Sequence, residues 1–396
     1  AFTNSHKIKV PLDQWSDWLE IKFKVGMFST ISGIVKFYLK SLTPEIELYM
    51  TPVQINPKDP AYVISNPDEY VQDMARDLGY FYTLGIPEDT KALSEGRLHE
   101  DAFIEMCNEI TDEQEEMLWH ELNNFREGVF AFGFFATDRI QHMFWSTRDK
   151  EHPLYRESYS KRYGGVITDY YRWMDRVLGN VMDNLGDKTA IMVFSDHGFS
   201  TFRRAVHINR WLVEKGYMSL RDGESASGPL FQAVDWKNTY AYSLGFGSIY
   251  INMKGREKYG IIEPGNDTRS VIKKLTSDLK RLKDYERDSA AIKDLYISQE
   301  IYSGRLADRA PDIIVGFNEG YRTSWQSALG GAPEQVFIDN ENKWSGDHIV
   351  DPSIVPGILF SNFKLNRINP SIIDIAPTVL SCFGMYTDDM QGVTLI

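Results

Sequence analysis

Val129-Phe130-Ala131-Phe132-Gly133-Phe134-Phe135-Ala136, followed at once by Thr137-Asp138-Arg139-Ile140-Gln141-His142, is the stretch that decides the fold. Its first part is a continuous apolar run, the composition of a strand covered on both faces. Asp138 and His142 then stand at i and i+4, so a helix starting there projects both side chains from one face. The same grammar returns at residues 189–194, a second buried-strand candidate that runs into Ser195-Asp196-His197-Gly198. In open α/β sheets functional groups collect just beyond the carboxyl ends of strands, and that rule selects these two places.

Residues 101–125 read as an amphipathic helix with Phe103, Met106, Ile110, Met117, Leu118, Leu122 and Phe125 on one stripe. Residues 155–185 read as one long helix closed by Gly186. Strand candidates follow at 248–252, 312–317 and 356–360, and helix candidates at 209–215, 268–285 and 371–383. This alternation predicts an α/β fold, a three-layer α/β/α sandwich with a mostly parallel sheet. Residues 126–396 form its core, with an insertion around 219–300. Residues 1–125 form an N-terminal cap or insert, rich in turn signals such as Asn56-Pro57, Asp59-Pro60 and Asn66-Pro67. Within the cap, periodicity leaves segments 15–24 and 31–39 open between strand and short helix.

The chain has 396 residues, with 43 Lys and Arg against 56 Asp and Glu, a net charge of −13. That surface repels polyanions and argues against nucleic-acid binding. A small anionic substrate remains compatible where metal cations reverse the local field. No apolar run approaches the roughly 20 residues that span a bilayer. The first residues lack a signal peptide's apolar region, and the expected location is cytoplasmic. Cys107 and Cys382 lie in helical patterns with no framework spacing, and the expectation is two buried thiols.

The third chemistry-bearing place is Gly346-Asp347-His348, in a polar loop before the 356–360 strand. Mixed Asp and His ligands suit Zn²⁺ or Mn²⁺ better than Ca²⁺, which prefers oxygen. Each signal has a bland alternative: Asp138 as a helix N-cap beside an unrelated His142, and Asp196-His197 as polar residues capping a turn. Together the three point to a metal centre. His207 is a candidate substrate-facing residue because it follows the second motif closely. His6, His99, His120 and His152 read as surface histidines, Arg203 and Arg204 as a solvated loop pair, and Trp145 and Trp344 as packing beside the site.

Asp-x-x-x-His, Ser-Asp-His-Gly and Gly-x-His, in this order and near these spacings, resemble the alkaline phosphatase superfamily. Within it they look like the type I phosphodiesterase/nucleotide pyrophosphatase group. Asp138-Arg-Ile-Gln-His-Met-Phe-Trp145 and Trp344-Ser-Gly-Asp-His348 are similar to a phosphohydrolase or phosphomutase branch of that group. The resemblance implies two divalent ions, Zn²⁺ or, in the mutase branch, Mn²⁺. Asp138, His142 and His348 would bind one, and Asp196 and His197 the other. It also implies a phosphoester or phosphodiester substrate and in-line attack by a Thr or Ser.

That nucleophile, and an Asp-Gly metal ligand, normally follow the family's first strand. No apolar strand ending in Asp-Gly precedes Asp138, and Ser29-Thr30 and Thr51 lie outside the family's setting. The expectation is therefore the C-terminal part of a longer protein, with one full metal site, half of a second and little turnover. The alternatives are a phosphomutase of the same superfamily and a non-catalytic metal-bearing binding module.

Overall fold

Residues 1–143 with 165–185 make one compact unit, and residues 144–164 with 186–396 make another. The computed structural model describes residues 8–26, 29–186, 189–385 and 389–396, so His6 lies outside the described residues.

The first unit begins with β1 (Leu19–Val25) and β2 (Ser29–Val35), paired antiparallel in unbroken register from Leu19↔Val35 to Val25↔Ser29. Strands β3 (Phe37–Ser41) and β4 (Glu47–Met50) make a second antiparallel pair, and β5 (Gln54–Ile55) pairs with β2. Of the two segments that periodicity leaves open, 15–24 is strand from Leu19 onward, and 31–39 is the end of β2 and the start of β3. Ile21 and Val35 are buried on one face of the β1–β2 pair and Ile34 on the other, so apolar cover on both faces decides for strand.

Helices α1 (Tyr70–Leu78) and α2 (Thr90–Ser94) lead to α3 (Glu100–Asn124), which matches the expected 101–125 helix. Phe103, Met106, Cys107, Ile110 and Leu118 bury its stripe. Its start is held by His99, whose Nδ1 accepts the Ala102 N–H at 3.2 Å. A side-chain acceptor there satisfies one of the helix's orphan donors.

Helix α4 (Ala136–Phe144) begins where the expected strand ends. Residues 129–135 are not a strand, and Val129 (58%), Phe132 (38%) and Phe135 (53%) are exposed. An apolar run becomes a buried strand only when neighbouring strands take its backbone N–H and C=O groups. Among the described residues no strand pairs with this one. The expected 155–185 helix is two helices, α5 (Glu157–Tyr163) and α6 (Val166–Asn184). The break falls at Gly164-Gly165, where paired glycines weaken helix propagation by roughly 1 kcal/mol each.

In the second unit, β6 (Met192–Phe194) is shorter than expected and pairs antiparallel with a late strand, Leu359–Ser361. Next come β7 (Ser200–Val206), α7 (Ile208–Glu214), β8 (Ala241–Ser243), β9 (Ser248–Ile251) and α8 (Asn266–Leu279). Then follow β10 (Lys283–Asp284), β11 (Ser289–Ala290), β12 (Ile292–Ile297), α9 (Ser298–Ile301) and β13 (Ile313–Phe317). The chain continues through β14 (Gly320–Thr323), α10 (Trp325–Ala328), β15 (Phe337–Asp339), β16 (Gly346–Asp347), β17 (Leu359–Ser361) and α11 (Ile375–Cys382).

The antiparallel sheet β12-β13-β9-β8 packs with α7 and α8 around Trp211, Leu212, Ile251, Leu275, Leu279, Ile313 and Phe317. The mixed α/β class is as expected, but the single mostly parallel sheet is not found. The strands form several small sheets, and among the named ladders only β14–β7 runs parallel. Short connections explain part of this. A loop of residues 244–247 between β8 and β9 permits only an antiparallel return. Cys107 is buried as expected, whereas Cys382 is exposed near the end of α11. Among the described residues no helix is long and apolar enough to cross a membrane.

Candidate metal centre

Asp138 and His142 belong to the first unit and sit one turn apart on α4. Their side chains face each other, with His142 Nε2 3.5 Å from Asp138 Oδ1. The second Asp138 oxygen is paired with the Arg139 guanidinium, which leaves Oδ1 directed at the imidazole. The His142 side chain is 2% exposed. Two ligand atoms on one tetrahedral Zn²⁺, at 2.0–2.2 Å from the ion, stand about 3.3 Å apart. The Asp138–His142 separation fits that edge.

Asp196, His197 and His348 belong to the second unit. Gly198 sets the turn that carries the first two: its N–H donates to the Val355 carbonyl at 2.9 Å. A Cβ on Gly198 would lie 2.6 Å from the Pro356 carbonyl oxygen, so the close backbone approach expected of this glycine is present. His197 Nδ1 lies 3.0 Å from the Gly198 carbonyl, an atom that can only accept, so Nδ1 carries the proton. Nε2 is then the lone-pair nitrogen, the tautomer a metal requires. That nitrogen stands 3.4 Å from Asp196 Oδ2, a second separation of the tetrahedral-edge kind.

His348 reaches the same neighbourhood through strand register. The β16 strand pairs with the start of β7, Gly346 opposite Thr201 and Asp347 opposite Ser200. Because β7 begins three residues after His197, this register delivers the next residue, His348, onto it. The two imidazoles stack with centroids 3.6 Å apart and planes inclined by 13°. Phe199 packs edge-on against His348, and Trp145 stacks on Phe199, so the packing role expected of Trp145 holds. Trp344 does more than pack: its Nε1–H donates to Asp347 Oδ2 at 2.8 Å.

Several other histidines and arginines depart from expectation. His152 is buried rather than on the surface, with Nε2 2.9 Å from the Phe202 carbonyl and Nδ1 accepting the Leu154 N–H. His99 is a helix cap whose Nε2 meets the Tyr38 hydroxyl. His120 is the solvent-side histidine expected, held between Asp77 and Glu121, whose hydrogen bonds raise its pKa. His207 lies in the interior ahead of α7, with Nδ1 2.6 Å from the Gln335 carbonyl, and burial lowers its pKa. Arg203 and Arg204 lie on β7 rather than in a loop. Arg203 is paired with Asp149 and Glu151, and Arg204 with Asp284, Glu286 and Asp339, so both are committed to protein carboxylates.

Three supporting groups escape a reading of the sequence. Asp347 stands inside a quoted motif, yet its spacing assigns it no role. Its carboxylate accepts the N–H groups of His348 and Ile349 at 2.8 and 2.9 Å. Arg322, on β14, carries no sequence signal at all. In the first unit, Glu88 is buried with its carboxylate 3.8 Å from Arg139 Nε, and burial raises its pKa.

A family model described as type I phosphodiesterase / nucleotide pyrophosphatase matches residues 55–348. No curated protein and no solved structure matches the chain.

Proposed function

Because the chain belongs to the type I phosphodiesterase/nucleotide pyrophosphatase family, within the alkaline phosphatase superfamily, we propose that it is a metal-dependent phosphoester hydrolase. The observation that carries this reading is the family match over residues 55–348, a range within which Asp138, His142, Asp196, His197 and His348 fall. In this reading Asp138, His142 and His348 hold one divalent ion, and Asp196 and His197 contribute to a second. Zn²⁺ is the first choice and Mn²⁺ the alternative, given mixed carboxylate and imidazole donors. Bound there, such ions neutralise charge on the phosphoryl oxygens and lower the pKa of a bound hydroxyl. The chain's own part is orientation. The Arg139 guanidinium turns one Asp138 oxygen toward His142, and the Gly198 carbonyl fixes the tautomer of His197. The substrate class is a small phosphoester or phosphodiester.

Metal titration with hydrolysis of aryl phosphodiesters and monoesters tests the reading. Three ligands against two predict one tightly held ion, a weaker second one, and low turnover that a chelator removes. Undiminished metal binding in both Asp138→Asn and His142→Ala, or hydrolysis indifferent to chelation, overturns it.

A further inference from the structure

Among the described residues, the largest fully buried side chain is a cation, Arg322, on β14. Its guanidinium lies over the rings of Trp325, Phe246 and Phe202, at 4.1, 4.8 and 5.1 Å from their centroids. Its Nε is 2.7 Å from Oδ2 of Asp347, with side-chain exposures of 1% and 0%. A buried ion pair is a poor device for stability alone, because the desolvation of both charges offsets their attraction. What distinguishes this one is where its anion sits. Asp347 Oδ1 takes the consecutive N–H groups of His348 and Ile349, while Oδ2 takes the Trp344 indole N–H. Those bonds set the backbone at His348, and β14 and β16 are both anchored to β7.

We propose that Arg322 is a positioning residue, which holds the His348 imidazole in its metal-ligating orientation through the Asp347 carboxylate. The inference rests on the metal-site reading above. Arg322 touches neither substrate nor ion in it. It fixes the carboxylate, the carboxylate fixes the turn, and the turn aims the ring. Partners one step behind a ligand of this kind alter metal affinity by about 10–100-fold when removed.

The test measures Zn²⁺ affinity by competition with a chromophoric chelator and records the visible spectrum of the Co²⁺ form. The proteins are wild type, Arg322→Met, Arg322→Lys, Asp347→Asn and His348→Ala, each with a metal-free melting curve. Arg322→Met is expected to bind Zn²⁺ about 10–100-fold more weakly and to shift the Co²⁺ spectrum. Arg322→Lys, which keeps the cation, is expected to recover part of both. A folded Arg322→Met with wild-type affinity and spectrum, beside a His348→Ala that loses affinity, overturns the positioning role alone. Should Arg322→Met not fold, Asp347→Asn carries the same test, and unchanged affinity there overturns the role. A His348→Ala protein that binds as tightly as wild type overturns the functional reading itself, and the positioning role with it.

Discussion

Two residues show how much a single position decides. Gly198 has no room for a side chain beside the Pro356 carbonyl, so Gly198→Ala must displace backbone. The expected cost is about 1–3 kcal/mol, read as a lower midpoint in urea unfolding. Glu113, in the first unit, is held by the Tyr82 N–H and the Trp18 indole, and burial pushes its pKa up from 4.5 to about 7. A folded carboxyl that holds its proton more tightly than the unfolded one stabilises the fold below its unfolded pKa. That contribution is lost as pH rises from 4.5 towards 7. Glu113→Gln is expected to remove this pH dependence, on the order of 3 kcal/mol, when stability is measured between pH 4 and 8. Asp138, His142, Asp196, His197 and His348 are all legible as candidates, because ligand chemistry restricts residue types. Asp347 and Arg322 are not, because a supporting charge carries no fixed spacing.

Elements are legible in proportion to the locality of what holds them. Helix α3 can be read from its stripe, since i, i+3 and i+4 contacts are built into any helix. Met106→Ala on its buried face is expected to cost about 2–5 kcal/mol in thermal or chemical denaturation. Residues 129–135 mislead a sequence reading, since apolar composition alone does not supply the neighbours a strand needs. Their exposed side chains give a measurable consequence. Phe132→Asp with Phe135→Asp is expected to lower binding of an apolar dye and leave stability within about 0.5 kcal/mol. An unchanged dye signal, or a large loss of stability, would show that these rings are buried after all. The β7 strand organises the second unit because β14, β15 and β16 all pair with it.

At the scale of the whole molecule, the surplus of acidic residues and the proposed metal sites lead to opposite expectations for anions. With a net charge of −13 the protein is expected not to retard duplex DNA at physiological salt. Metal removal is expected to lower the melting temperature, because an ion that binds only the folded chain stabilises it. At a hundredfold excess over its dissociation constant the stabilisation is about 2.7 kcal/mol. An unchanged melting temperature after chelation would count against the metal sites. The α/β class, the family and the candidate ligands are readable from residue type and order along the chain. The antiparallel run of most ladders, the exposure of side chains in the 129–135 run and the stacking of His348 on His197 come from the folded arrangement. Strand pairing and burial depend on which distant segments meet, and that information is spread over the whole chain rather than written in any one stretch of it.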